Sequence, residues 1–449
     1  MSRFEKKKDN TRRQYPAQRR SPVAAVVALL LVALSACGDR REPRAERPDG
    51  APASGTAAPA SGTTASADTA RPLEIGLSEA NVALLRGGTA PPGFRAYRDA
   101  LAALRPDRYR LVVDWSKLQP DPAVPADLGL PQDGCSRNRT PPCAEAAGLR
   151  AMLEAIRDNQ RAAGGGWEVL VAIYGVPDWA ATPPGGCERP GAEPRARPMT
   201  DAGLTGYRAL IRQLRALGEE VGVALPWWTP WNEPNHQAFI SPQRGACDVA
   251  SPPLAPAVYG RLVRAAREEL AGSGAKLVLG ELAGFRAPRA RGAGVGEFIR
   301  ALPDEVACAA SAWSQHEYAS TEDEPAAPFT RDAVAEAEAA LDERPCTATL
   351  PVWVTETGVG GVPPGSTRPM GAVALARQCA AQAARLERWA ADPRVEAVFQ
   401  FTFREDVAYP VALADPGLGV LYPTYGLWRA WADARGAGAA ARPAGCGAR

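Results

Sequence analysis

Histidine is almost absent from this sequence, whose 449 residues include only His236 and His316. Two histidines cannot form a three-histidine zinc site, and the nine cysteines lack the short spacings of zinc-binding loops. The sequence therefore predicts neither a structural nor a catalytic metal. No glycine-rich GxGxxG or GxxxxGK[ST] turn follows a strand-like run, so no nucleotide cofactor is expected.

An excess of charge of one sign is also lacking, because 52 Lys and Arg stand against 50 Asp and Glu, a formal net charge of +2. Phosphate binding needs Lys and Arg clustered on one face, so nucleic acid is not an expected partner. The basic excess lies at the N-terminus. Without residues 1–36 the chain keeps 44 basic and 48 acidic residues, a net charge of −4.

The N-terminal segment has the pattern of an export signal. After the basic residues comes an uncharged run, PVAAVVALLLVALSA at 22–36, which is too short to span a bilayer comfortably as a helix. A basic start, a short apolar run and a small-residue exit indicate a secretory signal. The exit Leu34-Ser35-Ala36-Cys37 resembles the lipobox of bacterial lipoproteins, which implies cleavage before Cys37, its acylation, and an exported cell-envelope protein anchored in the membrane. A plain signal peptide or a short anchor are the alternatives.

The next segment, 38–72, contains no Leu, Ile, Val or aromatic residue, so it cannot offset its ordering entropy by burial and is expected to be a flexible tether. Eight further cysteines follow, and an even count in a translocated protein predicts disulfides. Their pairing is open. Cys135 with Cys143 closes the shortest loop, and Cys446 could tie down the tail at 437–449.

Beyond Leu73 the sequence alternates between short apolar runs and amphipathic segments. Eight runs are typical of strands: 73–78, 109–115, 168–175, 227–233, 276–282, 311–318, 351–358 and 397–403. Eight helical patterns follow them, centred near residues 100, 155, 210, 262, 300, 337, 382 and 430, the third behind a Thr200 that can cap it. Eight βα units predict an α/β fold, a closed (β/α)₈ TIM barrel over 73–436.

In such a barrel the chemistry lies where the strands end. The fourth strand ends in WNEPNH (231–236) and the seventh in VTETG (354–358), so each places one glutamate at the rim, Glu233 and Glu356. On strand seven, alternation sends Val352, Val354 and Glu356 to one face, and valines filling the barrel would aim Glu356 into its mouth. Two facing carboxylates suit glycoside hydrolysis. Glu79 and Glu281 also stand near strand ends, and for these two a role in the site and a solvated loop charge are equally open.

The WNEPN and TETG blocks resemble the signature of the clan A glycoside hydrolases, with cellulase-like family 5 and β-xylosidase-like family 39 as nearest members. The resemblance implies that Glu233 is the general acid/base, Glu356 the nucleophile, and Asn232 a contact to the sugar 2-hydroxyl. Family 5 enzymes also have an arginine on strand two and a His-x-Tyr on strand six, which Arg110 and the block His316-Glu317-Tyr318 match by position.

The chemistry of each role gives an expectation. Arg110 and the Tyr318 hydroxyl beside Glu356 would keep that nucleophile ionised. Apolar neighbours such as Trp231, together with the second carboxylate, would raise the pKa of Glu233. His316 is expected to bind a sugar hydroxyl or a catalytic carboxylate, with a purely structural role as the alternative. For His236, sugar contact and structure are equally open.

Aromatic residues near strand ends are candidates for stacking on sugar rings: Trp179, Trp231, Phe401 and Phe403. The sequence departs from the clan on strand eight, where phenylalanines stand in place of the tryptophan that often floors the sugar site. Pro226 and Pro230 are unusual in a central strand, so the fourth strand is expected to be short, or bulged at Pro230.

The sequence thus predicts a retaining glycoside hydrolase that cleaves β-linked oligo- or polysaccharides by double displacement. Its partners would be the carbohydrate and, through Cys37, the membrane. Two alternatives are a non-catalytic glycan-binding envelope lipoprotein on a degenerate barrel and a transglycosidase, in which sugar rather than water accepts. The sugar, the linkage, the choice of exo or endo cleavage, and the oligomeric state are left open.

Overall fold

The computed structural model describes residues 72–85, 87, 90, 92–130, 147–189, 191–287, 289–321, 329–360, 367–406, 409–434 and 446. Four sequence predictions lie outside these residues: the signal peptide, acylated Cys37, the 38–72 tether (apart from Pro72), and the Cys135–Cys143 pair. Among the described helices, none is long and apolar enough to cross a membrane.

Eight parallel strands close into a barrel in sequence order, β1 pairing with β8. The strands are β1 Glu74–Ser78, β2 Arg108–Asp114, β3 Glu168–Tyr174, β4 Trp227–Thr229, β5 Lys276–Leu282, β6 Ala312–His316, β7 Val352–Thr357 and β8 Val395–Phe401. Each coincides with one of the eight strand-like runs. The prediction of a (β/α)₈ barrel is therefore confirmed.

Helices follow the strands around the barrel. They are α1 Phe94–Ala103, α2 Trp115–Leu118, α3 Leu149–Ala163, α4 Asp201–Val221, α5 Ala255–Leu270, α6 Val295–Arg300, α7 Asp304–Ala307, α8 Ala333–Leu341, α9 Ala372–Ala391 and α10 Pro423–Ala434. The Thr200 side chain accepts a hydrogen bond from the Gly203 N–H at 3.0 Å, which satisfies one of the free donors at the start of α4. All eight helices expected from periodicity are present, and two single-turn helices, α2 and α7, are added.

The fourth strand is the shortest of the eight, as its prolines predicted. It covers only Trp227–Thr229 and ends directly before Pro230, because a proline lacks the N–H that a central strand needs for its ladder. The chain beyond it is therefore free of ladder pairing. Asn232 is nevertheless held close to β3, since its N–H donates to the Ile173 carbonyl at 3.0 Å.

The lower interior of the barrel is filled by a buried cluster that differs from the expected one. It consists of Leu170, Val278, Ala312, Trp353, Ala397 and Phe399, with Trp227 packed against it. Val352 and Val354 instead belong to the larger core beneath the helices. The predicted phase of strand seven was wrong, because Trp353 takes the interior space that the valines were assigned. Gly76 makes room on β1, where a Cβ would lie 2.2 Å from the Phe399 ring.

Glu356 reaches the barrel mouth because β7 is irregular. In its pairing with β6, Gln315 opposes Val354 and His316 opposes Glu356, so residue 355 is an extra residue in the register. A similar shift lies on β5 between Gly280 and Leu282, where Gly280 has φ +108° and Glu281 φ +52°. Such bulges re-aim side chains. They turn both glutamates toward the centre, although strict alternation would send them to the helix side.

Three disulfides join described cysteines: Cys187–Cys247, Cys308–Cys346 and Cys379–Cys446. The last ties Cys446 of the C-terminal tail to α9, as the sequence suggested. Cys187 and Cys247 bring together the loops that follow β3 and β4. Disulfides persist in oxidising compartments and are rare in the cytosol of most organisms, so this set is compatible with an extracellular protein.

The Cys308–Cys346 disulfide gives a prediction for stability. It closes a loop with a sequence separation of 38, and the chain-entropy model assigns about 4 kcal/mol to a loop of this size. We expect the double variant Cys308→Ala/Cys346→Ala to lose about 3–4 kcal/mol of unfolding free energy, measured by guanidinium unfolding without reductant. Equal midpoints for the variant and the wild type would contradict this.

Candidate active site

Glu233 and Glu356 meet at the mouth of the barrel. Glu233 lies in the loop after β4 with φ +37°, and Glu356 is the fifth residue of β7. Together with His316 they place one side-chain donor atom each within 4.8 Å of one another. Their side chains are 17% and 10% exposed, respectively. The structure therefore brings together the two carboxylates that the sequence singled out, in a cleft that solvent still reaches.

Arg110 of β2 lies among the polar groups of the site. Its guanidinium lies 2.8 Å from Glu356 Oε1 and donates to Asn232 Oδ1 at 2.6 Å. It also donates to Glu281 through Nε at 3.0 Å, and a second, closer bond comes from Nη2. The side chain is 1% exposed. Asn232 is thereby oriented, and with its oxygen held by Arg110 the group it can present to a ligand is the Nδ2 donor.

Glu281 of β5, which the sequence left open between a site residue and a solvated loop charge, belongs to the site. Its side chain is fully buried and accepts from Arg110 and from Ser314 Oγ at 2.9 Å. Burial alone would raise the pKa of Glu281, but Arg110 and His316 outweigh it and hold that pKa far below its usual range. The signal in the sequence was Gly280, since an isolated glycine inside a strand indicates a bulge that can redirect the next side chain.

His316 on β6 contacts three carboxylates. Its Nδ1 lies 3.0 Å from Glu233 Oε1 and 3.6 Å from Glu356 Oε2, and its Nε2 lies 3.2 Å from Glu281 Oε2. Burial lowers the pKa of this imidazole, but the three negative charges raise it to about 10. His316 is thus an imidazolium at neutral pH and donates from both nitrogens. The structure places it against the two carboxylates at the barrel mouth, one of the positions expected for it.

The pKa of Glu233 differs from expectation. Burial raises it, as predicted, but the hydrogen bond and charge of His316, with smaller contributions from His236 and Arg110, bring it below the usual value. The sequence predicted a raised pKa because it weighed only apolar neighbours and the second carboxylate. It could not show that an imidazolium would lie 3.0 Å away.

Two tyrosines border Glu356. The Tyr318 hydroxyl donates to Glu356 Oε2 at 2.5 Å, so Tyr318 lies where the resemblance predicted. Tyr409, in the segment after β8, packs edge-on against the Tyr318 ring at 5.0 Å between centroids. Burial raises the pKa of both tyrosines well above the usual value, with the charge of Glu356 adding to it. Both are therefore hydroxyl donors at all ordinary pH values. Tyr409 had no signal in the sequence.

His236 forms part of an aromatic wall beside Glu233. Its ring stacks on Phe285 at 5.0 Å, and Phe285 in turn contacts Phe329 at 5.4 Å. The guanidinium of Arg289 lies 4.7 Å from the Phe285 ring centre. Burial lowers the pKa of His236, while Glu233 opposes that change and Arg289 adds to it. His236 therefore has a structural contact and also lies within electrostatic reach of the site.

Both proposed sugar-stacking tryptophans make packing contacts. Trp231 is 1% exposed, donates its Nε1–H to the Phe239 carbonyl and packs against Tyr207. It has no free face, so its assignment to sugar binding is contradicted. Trp179 is half-buried, donates to the Gln119 carbonyl and packs edge-on against Trp115. Periodicity could not tell these packing roles from stacking roles.

The two phenylalanines at and just beyond the end of β8 differ in their exposure. Phe403 is fully buried in the core. Phe401 is only partly buried; it contacts Tyr409 edge-on at 6.0 Å and lines a cavity next to the cluster. Phe401 therefore remains available to a ligand, and Phe403 does not.

The cavity, of about 140 Å³, opens between the ends of β1, β2 and β8. A cavity of this size accommodates a six-membered ring. Its walls include the charged side chains of Glu79, Arg110 and Asp114 and the aromatic rings of Tyr174 and Phe401. Asp114 is paired with Arg195 at 3.0 Å. Polar groups of both signs next to aromatic faces suit a ligand with both hydroxyls and apolar faces.

One group in the described residues, Glu233, His316 and Glu356, has the donor types of a metal site. Its charges do not suit a cation. Both ring nitrogens of His316 already face carboxylates, Nδ1 towards Glu233 and Nε2 towards Glu281. Arg110 already lies against Glu356. The positive charge that balances these carboxylates is supplied by the protein's own side chains.

Glu79 gives a pH prediction. It accepts backbone N–H bonds from Asn81, Phe403 and Arg404, but burial raises its pKa from 4.5 to about 7. A raised folded-state pKa gives stability that is complete below pH 4.5 and is lost as the pH rises through 7, about 3 kcal/mol in total. We expect Glu79→Gln to lack this slope in urea unfolding between pH 5 and 8. Parallel pH curves for variant and wild type would contradict it.

No protein-family model matches this chain, and no curated protein sequence does. Solved structures do match its fold. SrfJ from Salmonella typhimurium superposes with a TM-score of 0.51 at 8% identity, covering 84% of this chain and 76% of SrfJ. The beta-glycosidase BGL167 superposes with a TM-score of 0.50 at 13% identity, covering 84% of this chain and 99% of that one.

A family 39 glycoside hydrolase from the gut symbiont Bacteroides cellulosilyticus WH2 is also similar, with a TM-score of 0.47 and 16% identity. The match covers 81% of this chain and 64% of that protein, so this chain spans less than two thirds of its length. At these identities the likenesses to SrfJ and BGL167 establish the fold, a (β/α)₈ barrel shared with a glycosidase. The roles of individual residues rest on the geometry of the site.

Proposed function

We propose that this protein is a retaining glycoside hydrolase acting on β-linked sugars. The observation that carries the proposal is the closeness of the two carboxylates, since one oxygen of Glu233 lies within 4.8 Å of one oxygen of Glu356. Retaining enzymes place their carboxyl groups about 5–5.5 Å apart, whereas inverting enzymes need about 6.5–9.5 Å to admit a water. The spacing here favours direct attack by one carboxylate.

The two glutamates have different surroundings, which support different roles. Glu356 lies against Arg110 at 2.8 Å and accepts from Tyr318 at 2.5 Å, so both of its oxygens are held in place, and we assign it as the nucleophile. Glu233 has His316 as its close hydrogen-bond partner and can exchange a proton. Glu233 is therefore the acid and base.

The reaction proceeds in two displacements. Glu356 attacks the anomeric carbon, the bond to the leaving oxygen breaks, and Glu233 gives its proton to that oxygen. The product is a sugar ester of Glu356. Water then attacks the same carbon, Glu233 takes the water proton, and Glu356 is released as a carboxylate. The Nδ2 donor of Asn232, held by Arg110, is assigned to the sugar hydroxyl next to the anomeric carbon.

The cavity beside Arg110 is the proposed site for the sugar on the non-leaving side. Arg110 lines the cavity and also touches Glu356, so a ring held there lies next to the nucleophile. Phe401 and Tyr174 provide aromatic faces for the apolar side of the ring, and Asp114 provides a hydroxyl acceptor. Phe401 thereby takes the place of the tryptophan expected on strand eight.

The stereochemistry of the product tests the mechanism. A panel of 2,4-dinitrophenyl and phenyl β-glycosides of glucose, xylose, mannose and galactose is incubated with the protein, and the anomeric protons are followed by NMR before mutarotation. Double displacement is expected to release the β-anomer first. Initial release of the α-anomer would overturn the retaining mechanism. Binding of sugars without any release would favour the glycan-binding alternative, and transfer to added alcohols in preference to water the transglycosidase.

We also propose that the protein is exported and anchored through Cys37, with residues 38–72 as the tether. The lipobox sequence and the three disulfides support this. Cells fed radiolabelled palmitate are expected to label the wild type and not Cys37→Ser. Equal labelling of both proteins would show that the lipid, if any, is attached elsewhere.

A further inference from the structure

Glu281 is a buried carboxylate that the two displacement steps do not use. Three side chains from two other strands donate to it: Arg110 from β2, and Ser314 and His316 from β6. Its backbone adopts a left-handed conformation, φ +52°, that a glutamate seldom takes. A fully buried, ionised group in an unfavourable backbone geometry points to a role beyond packing.

The pattern of donors fixes where the hydrogens lie. Glu281 Oε1 accepts from Ser314 Oγ, and the hydroxyl of Thr355 in turn lies within bonding distance of that Oγ. Glu281 Oε2 faces Arg110, which has only donors, and His316 Nε2. The carboxylate is therefore an acceptor throughout, and the hydrogen of the His316 bond is on Nε2.

With Nε2–H fixed, the other ring nitrogen is set for exchange with Glu233. His316 Nδ1 lies 3.0 Å from Glu233 Oε1. When the ring is charged, Nδ1 donates to Glu233, and when the ring is neutral, Nδ1 accepts from a protonated Glu233. A single hydrogen bond thus serves both protonation states without movement of the ring.

We propose that Glu281 is a positioning residue that holds the ring of His316 so that His316 and Glu233 share the acid proton of the reaction. This inference rests on the proposed function for the role of that proton. It also explains how Glu233 can be the acid although its pKa lies below the usual value in the free protein. The proton is kept on the neighbouring ring.

The proton balance is simple. In the free protein the proton is on His316 Nδ1 and Glu233 is ionised. Transfer along the hydrogen bond leaves a neutral ring, still bonded to Glu281 through Nε2–H, and a protonated Glu233, which gives its proton to the departing oxygen. Esterification of Glu356, whose Oε2 lies 3.6 Å from Nδ1, removes one negative charge that favours the imidazolium. The water proton taken by Glu233 in the second step restores the pair.

Three carboxylates act directly on the protonation of His316: Glu233 after β4, Glu281 on β5 and Glu356 on β7. The other titratable groups of the site interact with those carboxylates: Arg110 on β2, His236 after β4, Tyr318 after β6 and Tyr409 after β8. Among the carboxylates, only Glu281 lies on the Nε2 side of the ring and outside the bond-breaking steps. Its charge can therefore be removed while both reacting groups are retained.

The histidine content permits a direct measurement. The full chain has only His236 and His316, so untagged protein labelled with ¹³C,¹⁵N-histidine gives two sets of ring signals, and His236→Gln assigns them. We expect His316 to remain doubly protonated at pH 7 and above in the wild type. In Glu281→Gln its titration midpoint should fall by at least about one pH unit. A neutral His316 at pH 7 in the wild type, or equal midpoints in both proteins, would overturn the proposal.

Glu281→Asp keeps a negative charge and provides a second variant if Glu281→Gln does not fold. Because the charge is kept, His316 should remain doubly protonated at pH 7 in Glu281→Asp, and a neutral His316 at pH 7 in this variant would overturn the role of the charge. These spectra need no substrate. An inactive wild type with a protonated His316 would therefore refute the proposed function and leave the positioning of the ring intact.

Kinetics separate positioning from mere stabilisation. Because acid assistance matters most for poor leaving groups, Glu281→Gln should lower kcat/KM for phenyl β-glycosides by roughly 10- to 100-fold, with a smaller effect on 2,4-dinitrophenyl β-glycosides. The basic limb of the pH profile should move to lower pH. The matched control is Glu317→Gln, since Glu317 is also buried and paired with an arginine, Arg385 on α9. Equal losses of kcat/KM on both substrates, together with an unchanged basic limb of the pH profile, would overturn the proposal.

Discussion

Replacement of Glu356 by alanine is expected to lower kcat by roughly 10⁴- to 10⁶-fold, as loss of a nucleophile does in other covalent catalysts. The carboxylate forms the bond to the anomeric carbon, and no other acceptor within the described site can do so. Arg110 and Tyr318, which now stabilise its charge, would face an empty space. Initial rates with 2,4-dinitrophenyl β-glycosides, which need little acid assistance, measure this loss.

Azide separates the roles of the two glutamates. In Glu356→Ala the space left by the carboxylate admits azide, which should attack directly and give the α-glycosyl azide. In Glu233→Ala the ester with Glu356 still forms from an activated substrate, and azide should intercept it to give the β-glycosyl azide. The same azide product from both variants, or the reverse assignment, would contradict the proposed roles.

A matched control exists within the same motif. Glu317 is adjacent to His316 in the chain, but its carboxylate accepts from the Val334 N–H and pairs with Arg385 on α9. Glu317→Gln should therefore keep activity within a few-fold of the wild type. A loss as large as that of Glu356→Ala would show that removal of any buried carboxylate disables the protein and that the assignment is not specific.

Arg110→Met is expected to destabilise the fold by about 3–5 kcal/mol at pH 7. The guanidinium neutralises Glu281 and Glu356, and its removal leaves those carboxylates buried with too little compensating charge. Urea unfolding of both proteins gives the difference in free energy. Activity should fall as well, since the same side chain orients Asn232 and the nucleophile.

The pH dependence has a definite sign. Arg110 depresses the pKa of Glu281, and a depressed pKa gives stability that is present above the ordinary value of 4.5 and is lost as the pH falls through the depressed value. Without Arg110 that stability is missing. The deficit of Arg110→Met should therefore be largest near neutral pH and shrink as the pH is lowered towards 3.

The control for this prediction is an exposed ion pair. Arg105 bonds Asp433 at 2.7 Å with both side chains about half exposed, and such pairs contribute about 0–1 kcal/mol. Arg105→Met should change the unfolding free energy by less than about 1 kcal/mol. Similar losses for the two variants would mean that the balance of buried charge does not account for the effect of Arg110.

The order of strands and helices could be predicted from the sequence because each element has its own periodicity and the parallel strands are short apolar runs. The short β4 followed from Pro230, which lacks a ladder donor. That Glu233 and Glu356 lie at the rim of the barrel followed from their place at strand ends. In these cases the feature that determines the structure lies within a few residues of the element it affects.

The predictions failed where residues distant in sequence determine the local structure or the pKa. Alternation along β7 was assigned the wrong phase, since nothing local shows that Trp353 rather than the valines enters the barrel. The bulge that redirects Glu281 depends on its pairing with β6, and so Glu281 could be taken for a loop charge. The pKa of Glu233 depends on His316, 83 residues away in sequence. Trp231 was predicted to stack on a sugar ring, but it packs against Tyr207, which is distant in sequence.

The charge cluster also determines how the barrel can be divided. Arg110 and Glu233 belong to the first four βα units, and Glu281, His316 and Glu356 to the last four. Arg110 and Glu281 are 171 residues apart in the chain. Each half alone would therefore expose or bury charges whose partners lie in the other half, at a cost of several kcal/mol per uncompensated buried ion. Although the fold repeats eight times, its halves are not interchangeable modules, and the charge cluster can assemble only as the barrel closes.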